Sequence, residues 1–246
     1  MSGDWLLQAR DVVAGYQPGL PIIHGVSANV ARGEIVTIIG PNGAGKSTFI
    51  KAIAGLLTAS SGEIRLDRES ITGLKTHRLV RSGIAYVPQT ANVFATLSIH
   101  ENLVLGAASL ASRRARQRIE QIYQLYPLLR QRRGDRAGVL SGGQRQTLAV
   151  ARALLTEPKL MLLEEPRAGL SPRAAMEMFA VITGLVKQSV AVLMVEQNAR
   201  AALAVSDRCY VLAEGQTRID GAADTLLNDP AIGEIFLGGA RKEDKH

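Results

Sequence analysis

The turn Gly40-Pro41-Asn42-Gly43-Ala44-Gly45-Lys46-Ser47-Thr48 leaves this chain few folds to choose from, because it follows directly on an apolar run, Glu34 to Ile39. A strand, a glycine-rich turn and a helix opening on Gly-Lys-Ser form a P-loop arrangement. Gly40, Gly43 and Gly45 let backbone N–H groups converge on phosphate oxygens, and a helix beginning near Lys46 adds the positive end of its dipole. The Lys46 ammonium then reaches the β- and γ-phosphates of a nucleotide, and Ser47 is placed to ligate magnesium. A turn that binds nothing would leave a lysine after three glycines without a packing role.

Further β-branched apolar runs recur at Ile84 to Val87, Leu160 to Leu163 and Val190 to Val195, with helical patterns between them. That alternation places the chain in the α/β class, with a mostly parallel sheet flanked by helices. Trp5 to Val13 and the stretch VLAEGQTRIDG read instead as antiparallel strands, the second a hairpin turning at Glu214-Gly215. Residues 92–140 lose the strand signal and read as a helical insert. No repeat or linker divides the sequence, so residues 1–246 form a single domain in this reading, with RKEDKH as a frayed tail. A content of 46% hydrophobic and 21% charged residues is enough for a substantial core. The one cysteine, Cys209, sits in the strand-like RCYVL and reads as core.

The formal charge of +7 could attract nucleic acid or anionic lipid. Its arginines, including Arg113, Arg114, Arg116, Arg118, Arg130 and Arg133, are interleaved with Leu103, Leu105, Ile119, Ile122, Leu125 and Leu128 at helical spacings, which places them on the wet face of amphipathic helices. Aromatic residues make up 4% of the chain, too few for a base-stacking surface, so nucleic acid is a disfavoured partner. The apolar runs fall far short of the roughly 18 residues that span a bilayer, and the N-terminus MSGDWLLQAR does not read as a secretory signal. The expected location is cytoplasmic. His24, His77 and His100 have no metal-ligand spacing.

Two adjacent acids, Glu164 and Glu165, close the apolar run Leu160 to Leu163. In P-loop proteins a second strand ends in acids that face magnesium and the attacking water. Glu164 is then the metal holder, and Glu165 the group that orients or deprotonates water.

A further motif, Leu140-Ser141-Gly142-Gly143-Gln144, completes a pattern that resembles the ATP-binding cassette (ABC) ATPases over nearly the whole chain. The resemblance implies a P-loop NTPase, RecA-like core with a mostly parallel sheet, an N-terminal antiparallel β subdomain and an inserted α-helical subdomain at about 92–140. It also implies ATP and Mg2+ as ligands, Tyr16 stacking on adenine, and Gln89 in AYVPQ as a further nucleotide and metal contact. Ser141 and Gln144 form the S-x-x-Q spacing of a capping box, with Gly142 and Gly143 leaving N–H groups exposed at a helix start. By resemblance, Ser141, Gly142, Gly143 and Gln144 contact ATP held by a second ATPase subunit, identical or paralogous. AYVPQTANVFATLSIHENL, VEQNA and the late FLGG are most similar to the second ATPase subunit of branched-chain amino-acid importers. Transmembrane permease subunits and a solute-binding protein are then implied partners, with this chain peripheral on the cytoplasmic face of the membrane.

The sequence departs from the family habit at several positions. Glu164 stands for aspartate and is longer by about 1.5 Å, where magnesium keeps oxygen distances of roughly 2.0 to 2.1 Å. Arg167 follows Glu-Pro where serine or threonine is usual, and sequence alone directs it to solvent. Ser171-Pro172 reads as an N-cap and first helical residue. Gln197 occupies the switch-histidine position as a member of the catalytic set; it can hydrogen-bond phosphate but cannot become cationic. The alternatives to a transport ATPase are an ATP-dependent dimer clamp with little hydrolysis and a non-transport ABC ATPase acting on nucleic acid.

Overall fold

The computed structural model describes residues 4–90, 92–227 and 229–232. The first half comprises β1 (Trp5–Ala14), β2 (Ile23–Ala31), β3 (Ile35–Ile39), α1 (Lys46–Ile53), β4 (Ala59–Leu66), β5 (Glu69–Ser70), α2 (Thr76–Ser82), β6 (Ile84–Val87), α3 (Ile99–Gly106) and α4 (Ser112–Leu125). It continues through α5 (Pro127–Gln131), α6 (Gly142–Leu154), β7 (Leu160–Glu164), α7 (Pro172–Val186), β8 (Ala191–Val195), α8 (Ala199–Leu203), β9 (Arg208–Ala213), β10 (Gln216–Ala222) and α9 (Ala223–Leu226). The RKEDKH tail and the FLGG stretch lie outside the described residues.

Every residue of β3, β7 and β8 is buried, as expected of parallel strands covered on both faces. Alternate side chains point opposite ways. Val36, Ile38, Leu162 and Leu193 pack with Phe49 and Ile50 of α1 and with the N-terminal strands, whereas Ile39, Met161, Leu163 and Met194 pack with α6 and α7. The sheet order is β10-β9-β3-β8-β7-β6. β3, β8, β7 and β6 run parallel, so the turns that follow them emerge on one edge, where ligands bind in open α/β sheets. β9 and β10 form the expected antiparallel hairpin, and β9 also pairs in parallel with β3, which joins the hairpin to the parallel sheet.

A second, antiparallel sheet has the order β2-β1-β4-β5. The sequence pattern announces β1 but not β2 or β4. β2 carries Gly25 at φ 82 and β4 carries Gly62 at φ 90, and both pair with β1 through register shifts that blur the two-residue alternation.

Among the described residues, 92–140 hold α3, α4, α5 and a 3-10 turn at Ala137–Val139. Ser98 and Glu101 form a capping box that starts α3. In α4, Ile119, Ile122 and Tyr123 are buried while Arg113, Arg114 and Arg116 are exposed, as the helical spacing implies. Leu105, Leu125 and Leu128 depart from that spacing, being 46%, 46% and 41% exposed. No helix of the described residues is long and apolar enough to cross a membrane.

The hairpin at Glu214-Gly215 forms as its sequence implies, with φ 51 and 73 at the two turn residues and Ala213 facing Gln216. It reaches the P-loop: Gly215 N donates to Ala44 O at 3.2 Å and accepts at its own carbonyl from His24 N at 2.8 Å. A Cβ on Gly215 would lie 2.2 Å from Ile22 O. Gly215→Ala is therefore expected to lower unfolding free energy by about 2 to 4 kcal/mol, from positive-φ strain and backbone collision together. Urea denaturation reads this directly, and a loss under about 0.5 kcal/mol would show that the contact yields freely.

Candidate active site

The P-loop glycines are there for close approach. Gly40, Gly43 and Gly45 have φ 154, 80 and 96, and Cβ atoms on Gly40 and Gly45 would meet Leu212 O at 2.1 Å and Ile23 Cγ2 at 2.5 Å. Asn42 and Gly43 form the exposed rim, Ala44 and Thr48 are buried, and Ser47 is half-buried. Helix α1 has neither a side-chain cap nor an acid in its first turn, which leaves its N-terminal N–H groups for an outside acceptor. Lys46 Nζ is buried and donates to Gly40 O at 2.8 Å and Pro41 O at 3.0 Å. Burial pushes its pKa below the usual lysine value, against the opposing charges of Glu165 and Glu196.

The paired acids diverge. Glu164 is buried, accepts at Oε2 from the Tyr86 hydroxyl, and has Oε1 3.4 Å from Lys51 Nζ. Tyr86 is held protonated, its pKa raised by burial and by Glu164. Lys51 lies one helical turn after Ser47 on α1, so the partner of Glu164 and the expected metal-binding hydroxyl share a helix face. Glu165 turns the other way. Gln197 Nε2 donates to its Oε1 at 2.8 Å and Oε2 at 2.9 Å, and Gln89 Nε2 donates to Oε2 at 3.0 Å. Three residues named from distant stretches of sequence thus meet around one carboxylate.

Tyr16 lies just beyond β1 with 56% of its surface exposed, so its ring is open to stacking. Ser141 and Gln144 make both bonds of the capping box at the start of α6, at 3.3 and 3.1 Å. Gln144 also accepts from Arg132 at 3.1 Å, and Gly142 and Gly143 face Leu170 and Ala174 near the start of α7. The signature turn therefore engages its own helical neighbours. Ser171 caps α7 by accepting from Ala174 N at 3.3 Å, with Pro172 in the first helical position.

Sequence reasoning missed Tyr86, Lys51 and Glu196. Only Lys51 had a local signal, its four-residue spacing from Ser47. Arg167 corrects the solvent-directed expectation: its guanidinium lies 5.5 Å from the Phe179 ring centroid and Nη1 is buried.

Glu196, directly after β8, is 3% exposed. Burial raises its pKa to about 7, opposed by the Arg167 charge and by the N–H groups of Arg167 and Gln197, while the Glu165 charge adds to the rise. A carboxyl that holds its proton more tightly folded than unfolded stabilises the fold at low pH and loses that contribution as pH rises from about 4.5 through 7. Relative to wild type, Glu196→Gln should gain roughly 2 to 3 kcal/mol of stability between pH 5 and pH 8. Urea unfolding at the two pH values checks this; a pH-independent difference would refute it.

The donor set fits a nucleotide with its metal. Ser47 hydroxyl, Glu164 carboxylate and the Gln89 amide oxygen, whose nitrogen is committed to Glu165, are hard oxygen ligands suited to magnesium. Among the described residues no group of three or more His, Cys, Asp or Glu could hold a metal alone, so these donors suit an ion that shares its shell with phosphates.

Fold and site together define a nucleotide-binding P-loop ATPase cassette. Residues 23–168 match the ABC transporter family, and the chain belongs to that family. It is 40% identical over 229 residues to the high-affinity branched-chain amino acid transport ATP-binding protein BraG of Pseudomonas aeruginosa, covering 93% of this chain and 98% of that protein. Identity to the probable branched-chain amino acid transport ATP-binding protein LivF of Archaeoglobus fulgidus is 39% over 234 residues, covering 95% and 99%. A crystal structure of a nucleotide-free ATP-binding cassette from an ABC transporter superposes with TM-score 0.85 at 28% identity, covering 94% of this chain and 98% of that one. The chain is an ATP-binding, ATP-hydrolysing subunit of an ABC transporter.

Proposed function

We propose that this chain energises uptake of branched-chain or other amino acids, working as one of two cassettes beneath permease subunits on the cytoplasmic face of the membrane, with a solute-binding protein delivering the cargo. The observation that carries the ATPase reading is the convergence of Gln89, Glu165 and Gln197 on the sheet edge that bears the P-loop. The names of BraG and LivF support the solute class.

Gln89 and Gln197 aim the Glu165 carboxylate, which orients water and accepts its proton. Lys46 and the N–H groups of α1 hold the phosphates, and Tyr16 stacks on the base. Ser47, Gln89 and Glu164 are the residues that would hold magnesium, which neutralises phosphate charge when bound. Ser141 to Gln144, with Ser141 exposed and the other three partly buried at the start of α6, cap the terminal phosphate in the neighbouring cassette, because the chain's own P-loop already has a helix N-terminus. Residues 92–140 form the helical subdomain of the one domain and meet the permease together with the Gln89 segment.

The test is uptake by proteoliposomes carrying the assembled transporter and a solute-binding protein. Leucine, isoleucine or valine should accumulate only when ATP is supplied on the cassette side. ATP hydrolysis without accumulation of any amino acid would reject the solute class and leave the ATPase intact.

A further inference from the structure

We propose that Arg167 and Glu196 form a buried charge pair that positions the Glu165–Gln197 couple for hydrolysis. The proposal rests on the reading of Glu165 as the group that activates water, and it gives two residues outside that reading a role.

The two side chains come from the turns that carry the couple. Arg167 lies two residues after Glu165 beyond β7, and Glu196 immediately precedes Gln197 beyond β8. Each has a buried orphan: Glu196 Oε1 and Arg167 Nη1 are shielded from solvent and have no hydrogen-bond partner. One is an acceptor, the other a donor, and among the charges acting on Glu196 that of Arg167 is the strongest attraction. Buried charges are costly unless paired, so a small rotation or one bridging water that joins these atoms removes two penalties at once. The Phe179 ring lies 5.5 Å from the guanidinium, as an aromatic face beneath a cation.

The brace acts on a turn that needs one. Glu165 is a non-glycine residue at φ 44, a left-handed conformation that persists only where the surroundings enforce it. Its N–H donates to Val195 O at 3.0 Å, and its carbonyl accepts from Ala168 N at 3.0 Å. The N–H groups of Arg167 and Gln197 both act on the Glu196 carboxylate to favour its charged form, so one side chain is coupled to the backbone of both turns. Releasing it lets Glu165 and Gln197 drift apart, and misplacement by about 1 Å costs up to about 100-fold in rate.

The experiment measures phosphate release from Mg-ATP by the assembled transporter, with kcat and KM for Arg167→Met, Glu196→Gln and the double variant, beside urea unfolding of each full chain. Each single change should lower kcat by about 10- to 100-fold and leave KM for ATP within about twofold. Glu196→Gln should do so while the fold at pH 8 becomes no less stable, which a merely structural role would not produce. The double variant should fall no further than the worse single one, because both changes remove the same brace. Multiplying losses, or wild-type kcat in Glu196→Gln, would overturn the pair. Glu165→Gln is the control: if it abolishes release while both brace variants keep wild-type kcat, only the brace fails. If Glu165→Gln itself turns over normally, the reading of Glu165 fails, and the positioning role with it.

Discussion

Glu165→Gln is expected to lower phosphate release by about 10²- to 10⁴-fold, the range that a positioned general base contributes. The substitution keeps the shape of the side chain and removes only its charge and basicity. In wild type both carboxylate oxygens accept N–H bonds, from Gln89 and Gln197. An amide keeps one acceptor and brings a third NH2 against those two donors, so the variant loses both the base and its aim. Binding should survive, because the P-loop backbone, Lys46 and the start of α1 hold the phosphates. Removing a negative charge that acts on Lys46 should if anything tighten the nucleotide complex. Single-turnover phosphate release, measured beside equilibrium ATP binding and the mass of the ATP-bound assembly, reads all three consequences. Retained binding, a trapped dimer and no turnover support the assignment; release at the wild-type rate would end it.

Lys46→Ala is expected to weaken ATP binding by about 10- to 150-fold, the equivalent of one charge-assisted hydrogen bond of roughly 1.5 to 3 kcal/mol. The side chain is buried and its ammonium sits on Gly40 O and Pro41 O, which ties the glycine-rich turn to the first turn of α1. Its loss removes the cation and frees two carbonyls of the glycine-rich turn. Thermal unfolding with and without Mg-ATP separates these effects, since a ligand stabilises in proportion to RT ln(1 + [L]/Kd). Wild type should gain a ligand-dependent rise in Tm that the variant lacks at the same ATP concentration. An equal rise in both would remove Lys46 from the phosphate site.

What could be read from sequence was what neighbouring residues decide. Glycine at the three turn positions of the P-loop, Glu214-Gly215 between two strands, and serine three residues before glutamine at the start of α6 each state a backbone geometry within a few residues. The parallel strands were legible as short apolar runs because both of their faces are covered. β2 and β4 were not, since glycines at positive φ and shifted register break the alternation that marks a strand.

The sequence by itself determined the phosphate turn, the acids at the end of β7 and the capping box, each written in residues close together along the chain, while Gln89 and Gln197 were named through the family resemblance. Only the tertiary structure decided that β8 lies between β3 and β7, which brings Gln197 to Glu165 and closes Glu196 away from water. It also turned Glu164 toward Tyr86 and Lys51 rather than toward its neighbour's partners. Strand order and burial depend on contacts between segments tens of residues apart, and a charged residue's surroundings are set by what packs over it, which no local pattern carries.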